Sequence, residues 1–512
     1  MSEQTTLNGV KVSYKPKSDK PKVEHKKRSD SDKGKRTYYD NGLSKPARGF
    51  GGKNKTFKPR MHERQKAPAP NPFLKLVNNP RFCAVDILYK IEEGQSLSEL
   101  LTSETGALSD NDKRFAQYLI YGALRQFEIL EFQLEHYLQK PIKQSERHVY
   151  LALLLAIYET TTMNTAEYAA VNNWVDLIRK MDREWAVGLT NGILRKVLRE
   201  GLQPLPKNLA KVSLPKWLSS YVINHWGVEN ACAIADHFLT HPAMTIRVNP
   251  LQTNRDEYSA LLTEAGIAHE KHAFVESAIV LKDAVSVANL PNFDTGMCSV
   301  QDASAQVAAK LLAPQKDEVI VDACAAPGGK TIAMLESNPE LDYIFAIDSV
   351  ESRLNRVQEN IDRVFPRELA DKIQLIPEFF ECFTVDETID AMLLDVPCSA
   401  TGIIHRHPDI KRLRQATDIK LLVETQEKLL DHAWAQLKAG GRLLYATCSI
   451  LKDENEQQMK KFFGRYDDAS ETELDLPFAQ RASYGYQILP IYSALSEKMD
   501  GFYYCLIHKA HA

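Results

Sequence analysis

From about residue 79 to 202, apolar residues recur every three or four positions, as in Phe115, Leu119, Ile120, Ala123 and Leu124, or Val171, Trp174, Val175 and Ile178. That period places them on one face of a helix. Breaks at Gly94-Gln95-Ser96, Leu108 to Asp112 and Pro204-Leu205-Pro206 divide the stretch into several helices, so an all-helical domain is expected. Its most apolar run, Val149 to Tyr158, stops at Glu159. This is short of the ~20 residues a membrane span needs, and it reads as the buried helix of a soluble domain. Residues 207–240 read as connecting helices around Trp217, Tyr221 and Trp226. His241 to Pro250 then reads as a strand, Asp256 to Ala265 as a helix and Ser277 to Leu281 as another strand, which together make a small α/β module.

After about residue 300 short apolar runs alternate with helical repeats, the pattern of a doubly wound parallel sheet. Strands are predicted at 318–323, 343–348, 372–377, 389–394 and 441–446, and helices at 350–364, 415–438 and 453–463. Gly464 is placed to cap the last helix, and Ile488–Ile491 with Gly501–Ile507 forms a closing antiparallel pair. Residues 1–75 are rich in Lys, Ser, Gly and Pro with few branched apolar side chains, so they are expected to stay disordered. The chain then divides into an arm (1–75), a helical domain (76–205), linker helices with the small α/β module (206–298), and a Rossmann-like α/β domain (299–512).

Charge sharpens this division. Residues 1–70 hold 19 Lys and Arg against 7 Asp and Glu, which leaves 45 against 60 in the remainder, although the whole chain has a net charge of only -3. A basic arm is joined to an acidic body, so any nucleic acid must meet a local basic groove. Tyr38, Tyr39, Phe50 and Phe57 lie among the arm's cations, a mixture suited to stacking on RNA bases; a merely solvated tail is the alternative. Arg114, Arg125, Arg179, Lys180, Arg195, Lys196 and Arg199 give the helical domain scattered cations, to be read either as an RNA face or as solvated helix surfaces. Eight cysteines without CxxC spacing and a start without an apolar signal segment argue for reduced thiols in the cytoplasm.

The candidate chemistry gathers at predicted strand ends, which share one crevice in an open parallel sheet. The first strand runs into Cys324-Ala325-Ala326-Pro327-Gly328-Gly329-Lys330-Thr331, a glycine-bearing turn that opens a helix and suits a nucleotide-like ligand. Asp348 ends the second strand, where an acid can accept both ribose hydroxyls. Glu378 follows the third strand and Asp395 ends the fourth, and Lys330 can pair with a carboxylate or phosphate of the ligand. A ring of acids without a full P-loop suits the cationic S-adenosyl-L-methionine better than a triphosphate, with a dinucleotide as the runner-up. Cys398, in Pro397-Cys398-Ser399-Ala400-Thr401-Gly402, and Cys448, in Ala446-Thr447-Cys448-Ser449, follow neighbouring strands, so both thiols are expected to face one bound molecule. Cys83, Cys232, Cys298, Cys382 and Cys505 have no such context and read as structural. No metal-ligand cluster is apparent. Arg247 and Asn249 at a strand end, and His405-Arg406-His407 after the Cys398 loop, are candidates for touching substrate or its phosphates, with ordinary structural roles as the alternative.

These motifs, with Val300-Gln301-Asp302-Ala303-Ser304-Ala305-Gln306 and Asp500-Gly501-Phe502-Tyr503, closely resemble the RNA cytosine-C5 methyltransferases of the Nol/Nop/Sun family. The helical region, with Gly94-Gln95-Ser96-Leu97-Ser98 and Asn191-Gly192-Ile193-Leu194-Arg195, looks like the NusB-like RNA-binding domain of the Sun branch, and the small module would be ferredoxin- or RRM-like. The resemblance spans about 79 to 512. It implies methylation of 16S ribosomal RNA, at the cytosine-967 position, by a monomer. Cys324, Ala325, Ala326, Pro327, Gly328, Gly329, Lys330, Asp348, Glu378 and Asp395 would then bind S-adenosyl-L-methionine. Cys448 would be the nucleophile and Cys398 the base-like thiol. Three features depart from the family: Pro377-Glu378 in place of Gly-Asp, Val396 in place of alanine, and the long basic arm.

The chemistry asks for the same equipment. Carbon 5 of cytosine is a poor nucleophile until a thiolate adds to carbon 6, and the base must be single-stranded or flipped for that attack. An acid near N3, for which Asp395 is the candidate, stabilises the activated ring, and a base must afterwards remove the carbon-5 proton. The competing readings are methylation of transfer RNA or 23S ribosomal RNA, and a non-catalytic RNA-binding assembly factor.

Overall fold

The computed structural model describes residues 3–7, 10–14, 76–386, 388–491 and 499–511. Seven helices, Pro80–Glu92, Leu97–Glu104, Asp110–Arg125, Phe127–Tyr137, Arg147–Thr162, Glu167–Lys180 and Glu184–Glu200, build the helical domain. The Asn79 side chain accepts from the Arg81 and Phe82 amides, and Pro80 occupies the first turn, so the first helix starts where the sequence signals it. Arg147–Thr162 is buried along most of its length and runs past Glu159. That carboxylate is buried because Arg81 and the Trp174 indole, at 2.9 Å, hydrogen-bond it.

The small module is a four-stranded antiparallel sheet in the order His269–Lys271, Ala278–Leu281, Met244–Val248, Cys298–Val300. The helix Arg255–Glu264 packs on it, started by a capping box between Asn254 and Glu257.

Five parallel strands form the heart of the last domain: Leu437–Thr447, Ile389–Asp395, Val319–Asp322, Tyr343–Ile347 and Ile373–Ile376, in that spatial order. The chain steps outward from Val319–Asp322 to Ile373–Ile376 and then returns to the other side of its starting strand. The direction of winding therefore switches between Val319–Asp322 and Ile389–Asp395, where such sheets open a crevice. Phe502–Lys509 and Tyr486–Ile488 close the sheet antiparallel, next to Leu437–Thr447. Apolar clusters bury both faces of the parallel strands, which explains their nearly unbroken runs of Val, Ile, Leu and Ala.

Several details differ from the sequence reading. Leu437–Thr447 begins where the preceding helix was expected to end. The polar strands Ala469–Thr472 and Gln480–Arg481 lack the alternation that would announce them. The arm is not wholly irregular either: Glu3–Leu7 pairs antiparallel with Val10–Tyr14, and the latter pairs with Phe383–Val385. Asn8-Gly9 between two runs that include Thr5, Val10 and Val12 is a hairpin signal that composition masked. Tyr38, Tyr39, Phe50 and Phe57 lie outside the described residues. Among the described residues no helix is long and apolar enough to cross a membrane.

Candidate active site

The carboxyl ends of the parallel strands surround a cavity of about 420 Å³. Cys324, Asp348, Glu378, Asp395, Cys398 and Cys448 all stand on its wall, so one chamber collects the predicted acids and both predicted thiols. Ala326 lines it as well, in the turn whose Ala326–Pro327 peptide is cis. Gly328 has φ 92°, and a Cβ there would come within 2.7 Å of Val357 Cγ1; only glycine lets the turn lie this close to the next helix. Ala325 is buried in the core and Pro327 is exposed, so these two shape the turn. The Gly329 carbonyl accepts from Arg247.

The two halves of the chamber differ in how their polar groups are held. Asp348 accepts from the Val350 amide at 3.0 Å and pairs with Arg353 at 3.2 Å, while Arg353 also reaches the Ala326 carbonyl. Glu378 is half-buried and accepts from the Phe379 amide, and the Phe379 ring is 50% exposed at the cavity. Lys330 does not face the ligand space directly; its ammonium is 2.6 Å from Asp395. Burial opposes that charge, but Asp395 outweighs it and raises the Lys330 pKa, with Cys448 near enough to add to the effect. Below them Asp322 accepts from Thr331, and burial pushes its carboxyl up to about 7. Burial, followed by the surrounding acids, drives the Cys324 thiol far up, so it presents a neutral wall.

On the other side Cys398 Sγ and Cys448 Sγ are 3.5 Å apart. Cys398 is buried and Cys448 half-buried. The hydrogen bond with Cys448, burial and the charge of Cys448 together hold the Cys398 thiol far above its ordinary value. A network that the sequence reading missed fixes this pair. Glu454 accepts from the Ser399 amide at 2.8 Å and the Ser399 hydroxyl at 2.6 Å, from the Ser449 hydroxyl at 2.5 Å and from Gln426 at 3.0 Å. One buried carboxylate thus ties the residues immediately after both cysteines. Its pKa is raised by burial in spite of these bonds. The only sequence signal was an acid five residues beyond Ser449, which is indistinguishable from a helix-start acid. The Gly402 amide donates to the Cys448 carbonyl, and Gly402 meets Gly501 backbone to backbone, so the Cys398 loop is also pinned to the terminal strand.

Other candidates are placed elsewhere. Arg247 is buried against Glu336 at 2.8 Å and also bonds Gln301, bracing the small module against the turn at Gly329, while Asn249 donates to the Gly296 carbonyl within the module itself. Arg406 is held by Asp500 and Asp302 at 2.8 Å, and burial lowers the His405 pKa to about 2, so these two lock the loop and offer no free charge to phosphates. Arg179, Lys180, Lys196 and Arg199 pair with acids on their own helices. Among the described residues no cluster of ligating side chains fits a metal.

Solved structures share this architecture. The protein PH0851 superposes with a TM-score of 0.67 over 84% of this chain and 99% of its own, at 22% identity. The structure of NSun6 from Pyrococcus horikoshii with SFG gives 0.50 over 60% and 99%, at 19% identity. Fold and site together define a Rossmann-type methyltransferase domain carried behind a NusB-like helical domain and a ferredoxin-like module. The chain belongs to the RsmB/F family of 16S rRNA methyltransferases, whose model matches residues 309–508. The NusB family model matches 78–199, and the ferredoxin-like domain of RsmF/B-like methyltransferases matches 214–288. Ribosomal RNA small subunit methyltransferase B of Vibrio cholerae is 40% identical over 86% of this chain and 99% of its own length. The Pseudomonas putida protein of the same name is 37% identical over 85% and 99%.

Proposed function

We propose that this chain transfers a methyl group from S-adenosyl-L-methionine to carbon 5 of a single-stranded or flipped cytosine in 16S ribosomal RNA, by way of a covalent bond to Cys448. The observation that carries the reading is the pair of thiols 3.5 Å apart on the wall of an acid-lined chamber. The names of its relatives support the choice of RNA.

The chamber fits the donor. Asp348 is positioned for ribose hydroxyls, Phe379 offers a ring for stacking the adenine, and Glu378 stands beside it. When bound, the donor supplies an electrophilic methyl group on a sulfonium. Cys448, half-buried and facing the chamber, is the thiol placed to add to carbon 6 as its thiolate. Asp395, held by Lys330, is within the chamber to hydrogen-bond the cytosine ring edge. The addition places an electron pair on carbon 5, which takes the methyl group and releases the thioether of the donor.

The proton on carbon 5 must then leave so that the bond from Cys448 to carbon 6 can break. Cys398 keeps its proton while Cys448 is anionic. Once the Cys448 sulfur is bonded to carbon, the charge and hydrogen bond that held Cys398 up are gone, and it ionises more readily at the moment a base is needed. The test is to trap the adduct. Cys398→Ala accumulates protein linked to RNA on a denaturing gel, and Cys448→Ala does not. A link formed by the Cys448 variant, or by neither, overturns the roles. Bisulfite sequencing of RNA from a deletion strain separates 16S RNA from transfer and 23S RNA, and failure to methylate 16S RNA either naked or in assembly intermediates would revive the scaffold reading.

A further inference from the structure

We propose that a second pocket, where the helical domain meets the segment after the Cys398 loop, grips a phosphodiester of the single-stranded RNA that carries the target base. The proposal rests on the reading above and assigns a role to a site outside the catalytic chamber. The pocket holds about 470 Å³, and three arginines and two histidines stand on its wall without a single carboxylate. Most of the body is acidic, which makes such a place uncommon on this chain.

Of the three arginines, Arg406 is already neutralised by Asp302 and Asp500. Arg125 is not. It is only 5% exposed, its Nε donates to the His405 carbonyl at 3.0 Å, and its Nη1 is buried without a hydrogen-bond partner. No acid forms an ion pair with it among the described residues, and burial lowers its pKa. A buried guanidinium without an anion is costly, and a phosphate entering the pocket supplies both the charge and the acceptors. Arg114 is exposed at the same pocket, also without an ion pair among the described residues. Tyr118, 46% exposed, stacks with His241 at 6.0 Å and leaves an aromatic face for a base. A cationic floor with an aromatic at its mouth is the combination that holds single strands without reading sequence.

Position favours the target strand. His407, on the wall, lies on the segment that Cys398 begins, and that segment is anchored to the helical domain by Lys411, buried against Glu128 and the carbonyls of Arg125 and Ser213. A phosphate held here is therefore fixed with respect to the cysteines by one rigid connection. It also gives the helical domain a direct part in substrate binding, which ion-paired surface cations elsewhere on its helices do not provide.

The test uses the full chain, 16S ribosomal RNA and a salt titration of binding, with S-adenosyl-L-homocysteine affinity as the check on folding. Arg114→Gln with Tyr118→Ala, both exposed, weakens RNA binding roughly tenfold and lowers the slope of log affinity against log salt by about one. Arg125→Gln weakens binding further if it folds, and the exposed pair decides the matter if it does not. RNA affinity and slope unchanged in the exposed double variant sink the pocket alone and leave it as a brace or a protein-docking site. Failure of the unsubstituted chain to bind RNA sinks the functional reading, and this proposal with it.

Discussion

Where Tyr343–Ile347 and Ile373–Ile376 end, Asp348 and Glu378 face the chamber with only local partners, an adjacent amide each and one half-exposed arginine. Where Ile389–Asp395 and Leu437–Thr447 end, the residues behind the thiols are bound into one buried network around Glu454. The first half must exchange polar partners whenever a ligand arrives or leaves, so bonds within the protein there would compete with binding. On the proposed mechanism, the second half must keep two sulfurs in register through several covalent steps. Closed hydrogen bonding in a dry interior suits that task because each bond lost there leaves an unsatisfied group.

The sharpest way to separate the halves is Cys448→Ala. Turnover is expected to fall by a factor on the order of 10⁴ or more, as for other removed nucleophiles, with S-adenosyl-L-homocysteine affinity by calorimetry unchanged. A comparable loss of that affinity would mean that the thiol half also binds the donor. Next comes Glu454→Ala, which removes the shared acceptor of two hydroxyls, an amide and Gln426 and leaves the Ser399 amide with no other partner among the described residues. A stability loss of about 3 kcal/mol in urea unfolding is expected, together with a lower kcat, and Glu454→Gln should recover part of both. If alanine slows catalysis no more than glutamine does, the network does not position the sulfurs.

On the open half, Asp348→Asn is expected to weaken S-adenosyl-L-homocysteine binding roughly 10- to 100-fold, the loss of charge-assisted hydrogen bonds worth about 1.5–3 kcal/mol, with little change in stability. An equal loss of stability would erase the contrast between the halves. The last effect concerns pH. Asp322 stays protonated in the fold up to about pH 7, whereas it ionises near pH ~4 in the unfolded chain. The folded state binds the extra proton in that window, so Asp322 makes stability fall as pH rises from about 4 to about 7, and Asp500 acts in the same sense. Asp322→Asn keeps an acceptor for Thr331 and should flatten that fall in urea unfolding measured across the window. An unchanged slope would assign the effect to other groups.

Much of this was legible along the chain. The 3.6-residue period from 79 to 202 and the apolar runs after 300 name the elements because burial of one face, or of both, is written into near neighbours. The acids, the glycine turn and the two cysteines stood at predicted strand ends, and strand ends in a parallel sheet converge by topology. Cations were the least legible. Arg247, Arg406 and Arg125 look alike in the sequence, yet the first is buried on Glu336, the second is clamped by Asp302 and Asp500, and the third has no acid to pair with among the described residues.

The sequence by itself thus determined the helical and α/β layers, the order of the strands along the chain and the candidates for the reactive groups, since these follow from local periodicity and side-chain chemistry. Only the tertiary structure decided the 3.5 Å between the sulfurs, the pairing of Lys330 with Asp395 and the buried carboxylate that binds both cysteine loops. Such matters depend on partners tens to hundreds of residues away, and the charge or proton a side chain keeps is set by who those partners are and how far water is excluded from them.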